Sequence, residues 1–439
     1  MDIREVSHIN IGPPPQCLFF LGSIGTLVPM RVVMVSEMFL PEFVGGGEVS
    51  SHLMAKTLAT RHDVTVITTK FDKAPREERM DGFTVKRVIP RAPKGLPVDL
   101  RRGELLSIAT MSRVLGELDG ADIVHVYGIR ATVGAGLASR ANKVPIVATV
   151  NDSWGTCLYA THFRGGKPCP RCSMTGLIAC MRENGASIVA LPYIKAQLKQ
   201  RLYMIRRFDG LMPVSEAMAK ILRAHGVKGI VEVVPSIVDA GAYPMRQPPE
   251  KGVLGFIGRI DNTKGLDVAI RAVAALVKKG EDVTMRVAGD GPALEDNKVL
   301  ARKLRVSDRV EFLGKIPLEE VPAFYASVDI SVLPFTRIEA LPRSILESMA
   351  CGRAVVTTDI CGGSEMIKNG MMGFVVPAES PDEVARVVAS VVRDGVRVKE
   401  MGLACRRFIE EEHAPSAILK KVEAVYRKVL EKRKGKRGY

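Results

Sequence analysis

Short runs of β-branched and aliphatic residues recur along this chain, and the stretches between them carry apolar residues at helical spacing. In the first half the runs are Arg31–Ser36, Val64–Thr69, Ile123–Tyr127, Ile146–Val150, Gly210–Val214 and Val231–Val234. In the second half they are Val253–Ile257, Val283–Ala288, Val310–Leu313, Asp329–Leu333, Val355–Thr358 and Gly373–Val376. Runs that are apolar at nearly every position, rather than at alternate ones, read as strands buried on both faces of a parallel sheet. Helices are predicted over Glu48–Thr60, Glu104–Leu118, Arg130–Asn142, Gly265–Lys278, Asp382–Arg393, Val398–Glu411 and Ala414–Lys432. Strand and helix alternate, so the expected class is α/β with two series of βα units. The stretch Ala240–Gly252 is rich in Gly and Pro, lacks periodicity, and predicts a hinge. The expected division is a first domain over 30–239, a second over 253–411, and a terminal helix with a basic tail over 412–439. Residues 1–29 fit poorly: Cys17–Val28 is apolar but short, broken by glycine and without a basic flank. They are expected to be a poorly ordered extension ahead of a natural start at Met30, with a membrane-touching arm as the rival reading.

Candidate chemistry gathers where strands end, because α/β proteins bind ligands beyond the carboxyl ends of their strands. After Arg31–Ser36 come Gly45, Gly46 and Gly47, at a helix entrance where a phosphate or sugar can approach the backbone closely. After Val253–Ile257 come Arg259 and Lys264, a forked donor and a point charge suited to a diphosphate. The run SVLPFTRIEALPRSILESMACGR, Ser331–Arg353, passes from a strand through a loop into a helix with Pro342 at its first turn. Glu339 lies just outside that helix and Glu347 along it. The free N–H groups and dipole between them favour an anion, and the carboxylates suit hydroxylated neighbours such as a sugar or ribose. His125, Tyr127, Asn151 and Asp152 close two first-domain strands; His125 reads either as a catalytic group or as a satisfied core residue. No G-x-G-x-x-G fingerprint is present, which disfavours a nicotinamide oxidoreductase.

Together, E-x7-E at Glu339 and Glu347, FIGRIDNTKG, AGDGP, VEFLGKI and the Met349–Gly352 run resemble the GT4 family of retaining glycosyltransferases. The resemblance extends from about Met30 to about Pro377. It implies a GT-B architecture: two doubly wound, Rossmann-like domains with a cleft between them and a terminal helix packing back on the first domain. It implies that Gly46 and Gly47 face the donor phosphates and that backbone at Lys315 and Ile316 reads the nucleotide base. It implies that Arg259, Lys264 and the segment Ala340, Leu341, Pro342 and Arg343 line the donor, with Glu339 on the sugar and Glu347 on the ribose. The expected donor is a UDP-, GDP- or ADP-sugar and the expected acceptor a lipid-linked molecule or a glycan. No Asp-x-Asp pair stands out and two cations can replace Mg²⁺, so transfer is expected to need no cofactor. The chain departs from the family at Tyr127 and Asn151, where histidines are common, and at Pro235–Asp239, which reads PSIVD. Related alternatives are a nucleotide-sugar epimerase or a glycogen-type synthase.

The net charge of +15 implies an anionic partner. The single Trp argues against base-stacking, so nucleic acid is not expected. Tyr193–Phe208 is basic and amphipathic, carrying Lys195, Lys199, Arg201, Arg206 and Arg207, and could rest on anionic lipid. A non-catalytic lipid- or polyanion-binding protein is therefore a rival class, though it leaves the Arg259, Lys264, Glu339 and Glu347 set without a purpose. No apolar run reaches about 18 residues, so no spanning helix is expected; the expected location is cytoplasmic, at the inner face of the membrane. Finally, Cys157, Cys169, Cys172 and Cys180 follow the spacing C-x11-C-x2-C-x7-C around KPCPRC. That pattern suits a structural zinc site, two disulfides, or ordinary buried thiols.

Overall fold

The computed structural model describes residues 28–41, 45–71, 74–90, 104–128, 131–153, 155–160, 162–164, 167–169, 172–245, 252–360 and 362–437. The expectations placed on residues 1–27, on the end of the hinge at 246–251 and on the last two tail residues lie outside the described residues.

The first domain contributes β1 (Arg31–Ser36), β2 (Asp63–Thr69), β3 (Glu77–Met80), β4 (Phe83–Ile89), β5 (Ile123–Tyr127), β6 (Ile146–Val150), β7 (Phe163–Arg164), β8 (Lys167–Pro168), β9 (Gly210–Pro213) and β10 (Ile230–Val231). All but β7 and β8 form one sheet in the order β10-β9-β6-β5-β1-β2-β4-β3. Its neighbours are parallel except β3 and β4. The second domain holds β11 (Val253–Ile257), β12 (Thr284–Ala288), β13 (Val310–Gly314), β14 (Ile330–Leu333), β15 (Ala354–Thr358) and β16 (Gly373–Val376). These form an all-parallel sheet in the order β13-β12-β11-β14-β15-β16. Strands β5, β6 and β15 are buried at every position, as expected of strands covered on both faces by helices.

The β3–β4 hairpin was not foreseen. Its turn is Asp81–Gly82, with φ of 45° and 85°, the two positive angles of a type I′ turn. Arg87 in β4 is buried and satisfied by Glu78 (2.5 Å), the Pro75 carbonyl (3.0 Å) and the Leu40 carbonyl (2.8 Å).

The chain crosses between domains twice. The stretch read as a hinge begins inside the second domain: Val238 and Tyr243 are buried in that core, and the Val238 N–H donates to the His413 carbonyl (3.0 Å). After His413 the helix Pro415–Arg437 returns to the first domain. Ile418, Val422, Tyr426 and Val429 share an apolar cluster with Met34, Leu58, Val85 and Met212. Glu423 pairs with Arg61 (3.0 Å), Lys428 with Glu232 (2.9 Å) and Arg433 with Asp209 (3.0 Å).

His125 belongs to this seam. It is fully buried, with Nδ1 paired to the Tyr426 hydroxyl (2.8 Å) and Nε2 to the Thr149 hydroxyl (2.8 Å). Both ring nitrogens are thus occupied by structural partners, which corrects its candidacy as a catalytic group. Burial pushes its pKa down to about 3, so the fold requires the neutral ring. The unfolded chain takes up that proton near pH 6.5, so this contribution is complete above 6.5 and is lost as pH falls towards 3. We expect urea-unfolding stability to drop by about 2 kcal/mol between pH 7 and 5 on account of this residue alone. His125→Gln should remove that share of the pH dependence; an unchanged slope in the variant would contradict the neutral buried ring.

Candidate active site

In the second sheet β11 pairs with β12 on one side and β14 on the other, so its centre is the place where the strand order reverses. Open α/β sheets bind ligands beyond the strand ends at such a reversal. The loops leaving β11 and β14 are tied together: Thr336 donates its N–H to the Thr263 carbonyl (3.1 Å) and its hydroxyl to the Asn262 carbonyl (2.9 Å). Gly265 sits at φ +75°, and a Cβ there would fall 1.9 Å from the Pro334 carbonyl oxygen. Only glycine allows both that conformation and that approach.

This knot delivers Lys264 to Glu339. The ammonium donates to Glu339 Oε1 at 2.5 Å, and it stands 5.5 Å over the Phe335 ring. Arg259, on the same loop, has a side chain that is 70% exposed and only a loose contact with Asp261 (3.6 Å). Asp261 is itself held by the Thr263 N–H (2.9 Å) and hydroxyl (2.5 Å). Arg259 thus presents its guanidinium to solvent at the rim.

Beyond Glu339 the helix Arg343–Ala350 starts at Pro342 with no side chain capping it. Its first N–H groups are therefore available to an anion. Glu347 is buried on this helix, and Arg343 donates to its Oε1 (2.9 Å). The Tyr243 hydroxyl bonds to both. Burial disfavours the Arg343 charge, but Glu347 and Tyr243 outweigh it, so its pKa is raised. The Tyr243 phenol is raised too, by burial first and by Glu347 second, and stays a donor.

Arg343 also spans the cleft. Its Nη1 donates to the Ser50 hydroxyl (3.2 Å) and the Ile237 carbonyl (3.3 Å). A Cβ on Gly46 would lie 2.8 Å from Arg343 Cδ, so the bare glycine makes room for the arginine. Gly47 lies beside Asn151, whose buried Oδ1 has no hydrogen-bond partner among the described residues. Tyr127 is buried, bonds to Ser50, and has its pKa pushed up to about 12 by burial. Ala340 and Leu341 pack on the apolar core of the first domain. Glu365 accepts the N–H groups of Glu216 (2.8 Å) and Ala217 (2.6 Å), capping a first-domain helix from across the cleft.

The structure thus gathers Gly46, Gly47, Lys264, Glu339, Ala340, Leu341, Pro342, Arg343 and Glu347, with Arg259 at the rim. Lys315, exposed, and Ile316 follow β13, the edge strand beside β12, where the Gly289 N–H meets the Gly314 carbonyl (2.7 Å). Sequence reasoning missed Ser50, Tyr243 and Glu365. Ser50 follows Gly46 by one helical turn and so shares its face, a usable signal. Tyr243 and Glu365 gave none.

The family described as Glycosyltransferase Family 4 matches residues 44–241, and that described as Glycosyl transferases group 1 matches residues 245–411. A 2-deoxystreptamine glucosyltransferase of Streptomyces kanamyceticus is 30% identical over 51% of this chain and 62% of its own length. A GDP-mannose-dependent alpha-(1-6)-phosphatidylinositol monomannoside mannosyltransferase of Mycolicibacterium smegmatis is 33% identical over 36% of this chain and 43% of its own length. The chain therefore spans less than two thirds of either relative. The fold resembles that of Anabaena HepE, solved in complex with UDP and glucose, with a TM-score of 0.66, 19% identity, and coverage of 90% of this chain and 98% of that one.

Removing Arg343 strands the buried Glu347 carboxylate and cuts a bridge between domains. We expect Arg343→Ala to destabilise the protein by about 3 kcal/mol in chemical unfolding, the usual scale for a broken buried pair. A loss below about 1 kcal/mol, the value of an exposed pair, would contradict the bridge.

Proposed function

This chain belongs to the GT4 family of glycosyltransferases with the GT-B fold, and from that premise we propose that it moves a sugar from a nucleoside-diphosphate sugar to an acceptor hydroxyl, with retention at the anomeric carbon. The observation that carries this reading is the 2.5 Å meeting of Lys264 with Glu339 beside an uncapped helix start, opposite Gly46. A cation, a carboxylate and free N–H groups at one point suit a molecule that joins a diphosphate to a polyol.

In this reading the diphosphate lies between Arg259, Lys264 and the first N–H groups of the helix Arg343–Ala350. Glu339 accepts hydroxyls of the donor sugar, and Ala340 and Leu341 shape its pocket. Glu347, fixed by Arg343 and Tyr243, keeps an oxygen for the ribose hydroxyls. Backbone at Lys315 and Ile316 meets the base. Asn151 offers its unpartnered Oδ1 to a sugar hydroxyl. As the bond from the anomeric carbon to the phosphate oxygen breaks, charge builds on the departing diphosphate. Lys264 and Arg259 meet that charge without reorganising solvent. The acceptor oxygen bonds to the anomeric carbon on the same face, and its proton passes to the departing phosphate oxygen. Neither glutamate acts as a nucleophile, and the two cations supply the charge that a metal would otherwise bring.

For the acceptor we favour a lipid-linked molecule at an anionic membrane surface, reached as a peripheral protein at the cytoplasmic face. Among the described residues no helix is long and apolar enough to cross a membrane. The helix Leu191–Ile205 instead presents one outer stripe: Lys195, Lys199 and Tyr203 are exposed, with Ile188 and Val189 just before them. Arg207 lies 4.0 Å over the Tyr203 ring. Two of the basic residues read from the sequence point elsewhere, since Arg201 is buried and Arg206 bonds to the His225 carbonyl (3.0 Å). The relative named for phosphatidylinositol monomannoside is consistent with a lipid acceptor.

Arg259→Ala should lower kcat/KM for the donor by about 100-fold, the scale of a lost charge-stabilising contact. A change within about twofold would remove the leaving-group role. For the membrane, Lys195→Ala with Lys199→Ala should weaken binding to phosphatidylserine vesicles by roughly 30-fold, at about 1 kcal/mol per charge. Equal binding by the variant would rule out this stripe.

A further inference from the structure

The insert between β6 and the helix Leu191–Ile205 brings its four cysteines to one cavity of about 40 Å³. Cys157, Cys169, Cys172 and Cys180 all line it, together with Arg164 and His162. They come from separate places: a turn after β6, positions 169 and 172, and the helix Met174–Glu183. None is in a disulfide.

We propose that these four thiols bind one Zn²⁺ in a closed tetrahedral site that staples the insert together. Three further observations argue for a staple of this kind. Among the described residues the insert buries Leu158, Leu177, Met181 and Ile194, with Tyr159, Ala186, Ala190, Leu191, Tyr193 and Leu198 half-buried against them, a small core to hold a lobe by burial alone. His162 cannot be a ligand, because its Nε2 meets the Thr156 hydroxyl (2.7 Å) and its Nδ1 the Cys169 carbonyl (2.8 Å). It acts instead as a clamp on Cys169, whose own N–H donates to the His162 carbonyl (2.7 Å). Binding releases one proton from each thiol, which leaves four thiolates and a net charge of −2 around the ion. Arg164, which lines the same cavity, offsets part of it. Among the described residues no group of three or more His, Cys, Asp or Glu is already gathered tightly enough to hold an ion. The metal must therefore draw the sulfurs in, to about 2.3 Å from zinc and so roughly 3.8 Å from one another. Free and disulfide-bonded cysteines are the competing states, and neither requires four sulfurs at one cavity.

The test is elemental analysis of the full chain purified without chelator, followed by exchange with Co²⁺. We expect one zinc per chain and, after exchange, a visible thiolate–cobalt spectrum of tetrahedral type. Cys172→Ser should weaken zinc binding by roughly 100-fold or more, since even groups behind the ligands cost 10- to 100-fold. Cys351→Ser, remote from the insert, should leave the zinc content unchanged. A chelator should speed proteolytic cleavage within 157–190 ahead of the two domains. Protein with no stoichiometric zinc, with iron and sulfide in its place, or with disulfides among the four cysteines would each overturn the proposal.

Discussion

The interaction on which the rest depends is the contact of Lys264 with Glu339. The two lie 75 positions apart and meet because β11 and β14 are hydrogen-bonded neighbours at the reversal of the sheet. Their loops are locked by close backbone packing as well as by the Thr336 hydroxyl on the Asn262 carbonyl. Gly265 presses on the Pro334 carbonyl, and Gly289, at φ +142°, presses on that of Gly258, each at a distance no Cβ would tolerate. A cation and an anion held at 2.5 Å near the surface are a modest source of stability. Their value lies in placing a donor and an acceptor group together at the mouth of a crevice, ready for a ligand that carries both charge and hydroxyls.

The domains are joined around that point by contacts that favour a closed cleft. Arg343 reaches Ser50 and Ile237, and Glu365 caps the helix that begins at Glu216. The terminal helix adds the seam at Tyr426 and Glu423. The bridges at Arg343 and Glu365 are polar and local, whereas the terminal helix, and Ala340 with Leu341, add apolar contact to the first-domain clusters.

Much of the architecture was legible in the sequence for a physical reason. Strands buried on both faces are apolar at most positions, as β5, β6, β11 and β15 are. The β3–β4 hairpin escaped because Glu77–Met80 is a polar edge strand, although Asp81–Gly82 was a sufficient turn signal. At the site, Glu339 and Glu347 were readable from their spacing around an uncapped helix. The cationic loop was readable from its place after a strand. His125 was misplaced because its partner Tyr426 lies 301 residues away, and burial of that kind leaves no local trace. Tyr243 was hidden for the same reason, within a stretch whose glycines and prolines read as a linker. The outward stripe at Lys195 and Lys199 was visible in the helical period, but the inward turn of Arg201 was not.

The most direct measurement is calorimetric titration of nucleoside diphosphates, UDP, GDP and ADP, into the wild-type protein and into Lys264→Ala. The account predicts that at least one of them binds the wild type and that the variant binds it tenfold or more weakly, the loss of a charge-assisted contact of about 1.5 kcal/mol or more. Equal affinity in the two proteins, or no binding of any of the three by the wild type, would contradict it.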